Sequence, residues 1–132
     1  MDIKEILTPP KVVAVVGLSD KPDRPSHEVG LYLIDHGFTV IPVNPNISDF
    51  HGQHSYTSLA DIPSDVHIDI VDIFRKSEDV PEIIDQVLAL HWMPIIWMQE
   101  GVVSTQAKET AEKNGLQVIM DSCMMKEHRK LF

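Results

Sequence analysis

Aliphatic runs alternate with helix-like stretches from one end of the chain to the other, without repeats, low-complexity tracts or linkers. Such alternation is the mark of an α/β fold built on a parallel sheet. Val12-Val13-Ala14-Val15-Val16 is apolar on both faces, like a central parallel strand, and ends at Gly17. Further strands are predicted over 38–43, 68–74, 94–98 and 116–120, with a short one near Ser55-Tyr56. Asp69 and Asp72 blur the limits of the 68–74 strand, and Pro42 and Pro45 stop the second one.

Between the strands the spacing turns helical. A short turn over 3–7 stops at Thr8-Pro9-Pro10, because proline disfavours helix in the residue before it. Ser26 reads as the N-cap of a helix carrying Val29, Leu33 and Ile34 and closed by Gly37. Ser77 or Asp79 caps the cleanest amphipathic pattern, Val80, Ile83, Ile84, Val87 and Leu88. A helix over 104–114 closes at Gly115, and another is predicted over 124–131. Residues 48–54 read as loop and 58–63 as a brief helix or turn. Right-handed crossovers then give one open, doubly wound sheet, predicted in the order 3-2-1-4-5.

Ligands of such sheets bind at the carboxyl ends of the strands. The residues expected there are Gly17-Leu18-Ser19, Asn44-Pro45, Phe74-Arg75 and Gln99-Glu100-Gly101. In the first turn, Gly17 permits a sharp bend, Ser19 adds a hydroxyl, and Lys21 and Arg24 add positive charge ahead of a helix N-terminus. That combination suits a phosphate. The turn is not G-x-G-x-x-G, and no acid follows Val43 to hold a ribose, so a nicotinamide dinucleotide domain is disfavoured.

Composition narrows the classes. The chain has 132 residues, enough for one domain with its own core. Twenty acidic residues against 11 basic ones give a formal charge of −9, which opposes bulk attraction to nucleic acid or an anionic membrane. A single cysteine, Cys123, leaves no intramolecular disulfide framework and no multi-cysteine zinc site. No apolar run reaches the roughly 20 residues of a membrane span, and the start is not of signal-peptide type, so a soluble, cytoplasmic domain is expected.

A family resemblance then becomes specific. Six pieces occur in one order: the strand–Gly17-x-Ser19 turn with Arg24-Pro25-Ser26; Pro42-Val43-Asn44-Pro45; Ser58-Leu59-x-Asp61-Ile62-Pro63; Asp69-Ile70-Val71-Asp72-Ile73-Phe74-Arg75; Trp97-Met98-Gln99-Glu100-Gly101-Val102; and Asp121-x-Cys123 with Glu127-His128. Together, over about 10–131, they resemble the small free-standing CoA-binding proteins, which are similar to the CoA-binding Rossmann domain of the succinyl-CoA synthetase alpha subunit. The resemblance implies a Rossmann-like fold with coenzyme A across the strand ends. Phosphate would lie at Gly17, Leu18, Ser19, Arg24 and Ser26, and the nucleotide beside Asn44 and Pro45. Phe74, Arg75, Gln99, Glu100 and Gly101 would line the remainder, with Lys21 adding charge. The family usually carries arginine between the final Asp and Cys, where this chain has Ser122.

The function expected on this reading is binding of CoA or an acyl-CoA by a non-enzymatic carrier or sensor, since neither a Walker-type loop nor a synthetase's second domain is visible. The alternatives are a small CoA-dependent acyltransferase or thiol-redox enzyme using Cys123 or His128, and a nicotinamide-dinucleotide-binding regulator. Cys123 reads either as a buried small hydrophobe or as a thiol beside the CoA sulfur. Asp121, Cys123 and His128 have the residue types of a nucleophile–base–orienter set, but His128 is better read as held by Glu127 or Asp121. His51 and His54 read as solvated loop residues rather than zinc ligands, and Trp92, Trp97 and Met98 as packing.

Overall fold

A computed structural model describes residues 2–132. Five strands form a parallel sheet: β1 (Val12–Val16), β2 (Thr39–Val43), β5 (Ile70–Ile73), β6 (Ile95–Met98) and β7 (Val118–Ile119), in the order β2-β1-β5-β6-β7. Counting these five alone, the order is 2-1-3-4-5 rather than 3-2-1-4-5. The segment at Tyr56 makes only one parallel bridge, to Val43 at the end of β2, so it marks the outer position without forming a strand. The predicted loop at 48–54 contains a small antiparallel hairpin, β3 (Asp49–Phe50) and β4 (Gln53–His54). Two-residue strands leave no alternation to detect. What fixes the hairpin is Phe50, which is buried against the helix carrying Gly30; a Cβ there would lie 3.2 Å from its ring.

Alternation in β1 sends Val13 and Val15 to one face and Ala14 and Val16 to the other. The first face is covered by α1 (Ile3–Leu7), α2 (Pro25–Asp35) and α5 (Met124–Leu131), through residues such as Leu7, Val29, Leu33 and Met124. The second is covered by α3 (Val80–Ala89) and α4 (Thr105–Lys113), through Val80, Ile84, Val87, Ala107 and Ala111. The result is a three-layer α/β/α domain, as expected. Trp97 and Met98 are fully buried, and Trp92 packs at the edge of the second core.

Local signals fared unevenly. Ser104 caps α4 as a side-chain acceptor for Ala107 N–H, whereas Asp79 precedes α3 without a capping bond, after a 3-10 turn over Ser77–Asp79. Ser26 is not an N-cap. Arg24 takes that place, Pro25 opens the helix, and Ser26 lies inside the first turn. Asp69 stands just outside β5, where its carboxylate accepts the Val12 N–H that begins β1.

Among the described residues, Asp72 is the one carboxyl deep in the sheet. It is fully buried, and neither oxygen has a hydrogen-bond partner among the described residues. Desolvation holds its carboxyl well above the ordinary 3.8, so the folded protein favours the neutral acid. Across the window from about pH 4 up to the raised value, the folded state keeps a proton that the unfolded chain releases. Stability therefore falls as pH rises, by about 1.4 kcal/mol per unit. Asp72→Asn is expected to remove that slope and to be the more stable protein at neutral pH, as read from urea melts between roughly pH 4 and 7. Parallel curves for the two proteins would contradict a neutral, buried Asp72.

Candidate functional site

The carboxyl ends of β1, β2, β5 and β6 open into one groove of about 810 Å³, within the ~300–1,000 Å³ range of small-molecule sites. Its floor begins with the β1 turn. Gly17 has φ +92° and donates its N–H to Val43 O at 2.9 Å, tying the ends of β1 and β2. A Cβ at that position would lie 2.6 Å from the Phe74 carbonyl oxygen, so the turn also packs against the end of β5.

The loop that follows is held by its own side chains. Ser26 Oγ accepts from Ser19 N–H at 3.0 Å, and Ser19 Oγ accepts from Lys21 N–H at 3.1 Å. His27 Nδ1 donates to the Ser19 carbonyl at 3.0 Å, and Asn44 Nδ2 donates to Leu18 O at 2.8 Å. Both serines thus use an acceptor lone pair to shape the loop and keep their O–H groups as donors. The start of α2 borders the groove through Arg24, Ser26 and Val29. Pro25 has no N–H and the His27 and Glu28 amides bond to Arg24 O, so the Ser26 amide is the one left at the positive end of the helix dipole.

The opposite wall comes from the end of the chain. Trp97 Nε1 donates to Ser122 O at 2.8 Å, Gln99 Oε1 accepts Met124 N–H at 3.1 Å, and Asp121 Oδ1 accepts Gly101 N–H at 2.7 Å. These bonds clamp 121–124 onto β6 and its following turn. They set α5 so that Met125, Lys126 and Arg129 face the groove, with Cys123 at its base. Lys126 Nζ meets both carboxylate oxygens of Glu100, at 2.8 and 3.0 Å, and that hydrogen bond raises its pKa from the ordinary 10.5.

Ten of the thirteen residues expected at the strand ends border this groove. Gly17, Ser19, Lys21, Arg24 and Ser26 come from the first loop and helix, and Asn44, Phe74, Arg75, Gln99 and Glu100 from the later strand ends. Three do not. Leu18 is buried in the core under α2, Pro45 lines a separate cavity of about 120 Å³, and Gly101 is occupied by Asp121. From α5, outside the strand-end turns, Lys126 and Arg129 join the ten. Their i, i+3 spacing places them on one helical face, but only the clamp onto β6 shows that this face borders the groove.

The charge of the groove opposes that of the molecule. Five cations line it (Lys21, Arg24, Arg75, Lys126, Arg129) against three anions (Asp20, Glu28, Glu100), on a chain of formal charge −9. Arg75 pairs with Asp79 at 3.3 Å, and Arg129 lies 5.1 Å over the Tyr32 ring. Among the described residues, the Lys21 and Arg24 side chains make no hydrogen bond or ion pair.

A pattern described as the CoA binding domain matches residues 11–129. The chain belongs to the CoA-binding domain family. It is 43% identical over 127 residues to YneT of Bacillus subtilis (strain 168), covering 96% of this chain and 92% of that protein. Among solved structures it resembles a protein of Pyrococcus horikoshii OT3, with TM-score 0.91 and 38% identity over 98% of this chain and 89% of that one. A Thermus thermophilus structure gives TM-score 0.91 and 33% identity, covering both chains completely.

Other residues of this CoA-binding domain can now be placed. Ser122 does not border the groove; its hydroxyl turns back to Met120 O at 3.4 Å. His128 is held by neither Glu127 nor Asp121. Its Nδ1 lies 2.7 Å from Tyr32 Oη, in a ring cluster with His36, Phe38 and Phe132. Burial first, and His36 second, lower its pKa from 6.5. His51 and His54 belong to the hairpin and are exposed; among the described residues no group of three or more His, Cys, Asp or Glu could hold a metal. No helix of the described residues is long and apolar enough to cross a membrane.

Proposed function

We propose that this protein binds coenzyme A or an acyl-CoA in the groove at the strand ends, as a carrier or sensor without chemistry of its own. The observation that carries the reading is the net positive groove on a strongly negative chain of the CoA-binding domain family. CoA joins a 3′-phosphate and a pyrophosphate to a long amphipathic pantetheine. The residues present fit both parts. Lys21, Arg24 and the start of α2 suit phosphates, and Val29, Ile47, Phe74, Val102 and Met125 offer an apolar wall. The acidic partner that an NAD ribose needs is absent after β2, where Asn44 is engaged with Leu18.

The non-catalytic part of the reading rests on where the reactive residues go. Asp121 is bonded to the Gly101 amide and His128 to Tyr32, so neither serves Cys123 as a base or an orienter. Cys123 itself is buried at the groove's base.

Thermal shift with CoA, acetyl-CoA, NAD, NADP and ATP tests the reading. A ligand at 100 times its dissociation constant adds about 2.7 kcal/mol, which for a domain of this size raises Tm by about 10 °C. CoA and acetyl-CoA are expected to give that shift. A shift with NAD and none with CoA would overturn the proposal.

A further inference from the structure

We propose that Lys126 is an exchangeable phosphate anchor: Glu100 holds it in the free protein, and a ligand phosphate takes Glu100's place. The inference rests on the CoA reading and deepens it.

Glu100 and Lys126 both border the groove, and their side chains are 59% and 56% exposed. An ion pair so open to water contributes little to stability, because solvent screens it and two long side chains must be held still. The pair is also not needed to hold α5. The Trp97–Ser122, Gln99–Met124 and Asp121–Gly101 bonds fix the start of that helix, and buried Met124 and Met125 hold it on the sheet. Lys126 can therefore change partner without any backbone movement. Its ammonium group has three donors on a flexible stem, so it can follow an incoming anion a short way into the groove.

Glu100 then has a different role from the other groove residues. It carries the same charge as the ligand's phosphates and competes with them for Lys126. In the free protein it keeps the ammonium group engaged at the groove's edge. On binding it must release Lys126 to the phosphate and turn towards solvent.

The two partners should therefore affect affinity in opposite directions, which a purely structural ion pair would not do. In calorimetric titrations with CoA at low salt, Lys126→Met is expected to weaken binding roughly tenfold, and Glu100→Gln to tighten it about threefold. High salt should shrink both effects. The same series with inorganic pyrophosphate reads the exchange without the pantetheine. Opposite shifts with pyrophosphate, in a protein that ignores CoA, would sustain the exchange and remove the CoA reading. CoA binding that both variants weaken, or that both leave within about twofold, would overturn the exchange and leave the CoA reading standing. No binding of either ligand would overturn both. Thermal melts of the two variants should match the parent, since the pair lies on the surface.

Discussion

Gly17→Ala is expected to destabilise the protein by at least about 2 kcal/mol, a loss of roughly 7 °C in Tm for a domain of this length. Two costs combine at this one position. The backbone sits at φ +92°, where a side chain is strained whatever the surrounding space. The added Cβ would also stand 2.6 Å from Phe74 O and 3.1 Å from its carbonyl carbon, both backbone atoms that cannot rotate aside. Relief requires β1 and β5 to separate at the carboxyl end, where the groove begins. The variant should therefore lose CoA affinity along with stability. A Tm within a degree or two of the parent would show that the turn is not held as tightly as these distances require.

Arg24→Ala should have the largest effect on binding alone. The residue precedes α2, borders the groove, and has no side-chain partner to lose among the described residues. Its removal should leave folding almost unchanged. A guanidinium bonded to phosphate contributes about 1.5–3 kcal/mol, so CoA affinity should fall roughly 10- to 150-fold. Dephospho-CoA locates the contact. A loss confined to CoA assigns Arg24 to the 3′-phosphate, and an equal loss for both ligands assigns it to the pyrophosphate. Unchanged affinity for both would remove Arg24 from the site.

Much of this architecture is written locally. Val12–Val16 announces a buried strand because both faces are apolar, and α3 announces itself through Val80, Ile83, Ile84 and Val87. The strand-end loops follow from the parallel topology, so Ser19, Arg24, Phe74 and Gln99 could be named before any coordinates. What escaped depends on long-range contacts. Phe50 makes a hairpin of a two-residue strand pair by burying itself beside Gly30. Gln99 and Asp121 draw the chain end across β6, and only then does α5 bring Lys126 and Arg129 to the groove. Ser26 lies two positions past the N-cap, the place its residue type suggests, because Pro25 opens the helix and leaves Arg24 to precede it. Its hydroxyl nevertheless helps shape the loop, as the acceptor of the Ser19 amide.

The most direct test of the account is an amide NMR titration with CoA. Binding in the groove predicts shifts concentrated in five segments: the loop and start of α2 over 17–29, the β2 end at 44–47, the β5 end at 74–75, the β6 turn at 99–102, and 123–129. Amides of α3 and α4, on the other face of the sheet, should stay in place. Shifts centred on α3 and α4, or none at saturating CoA, would contradict the central claim.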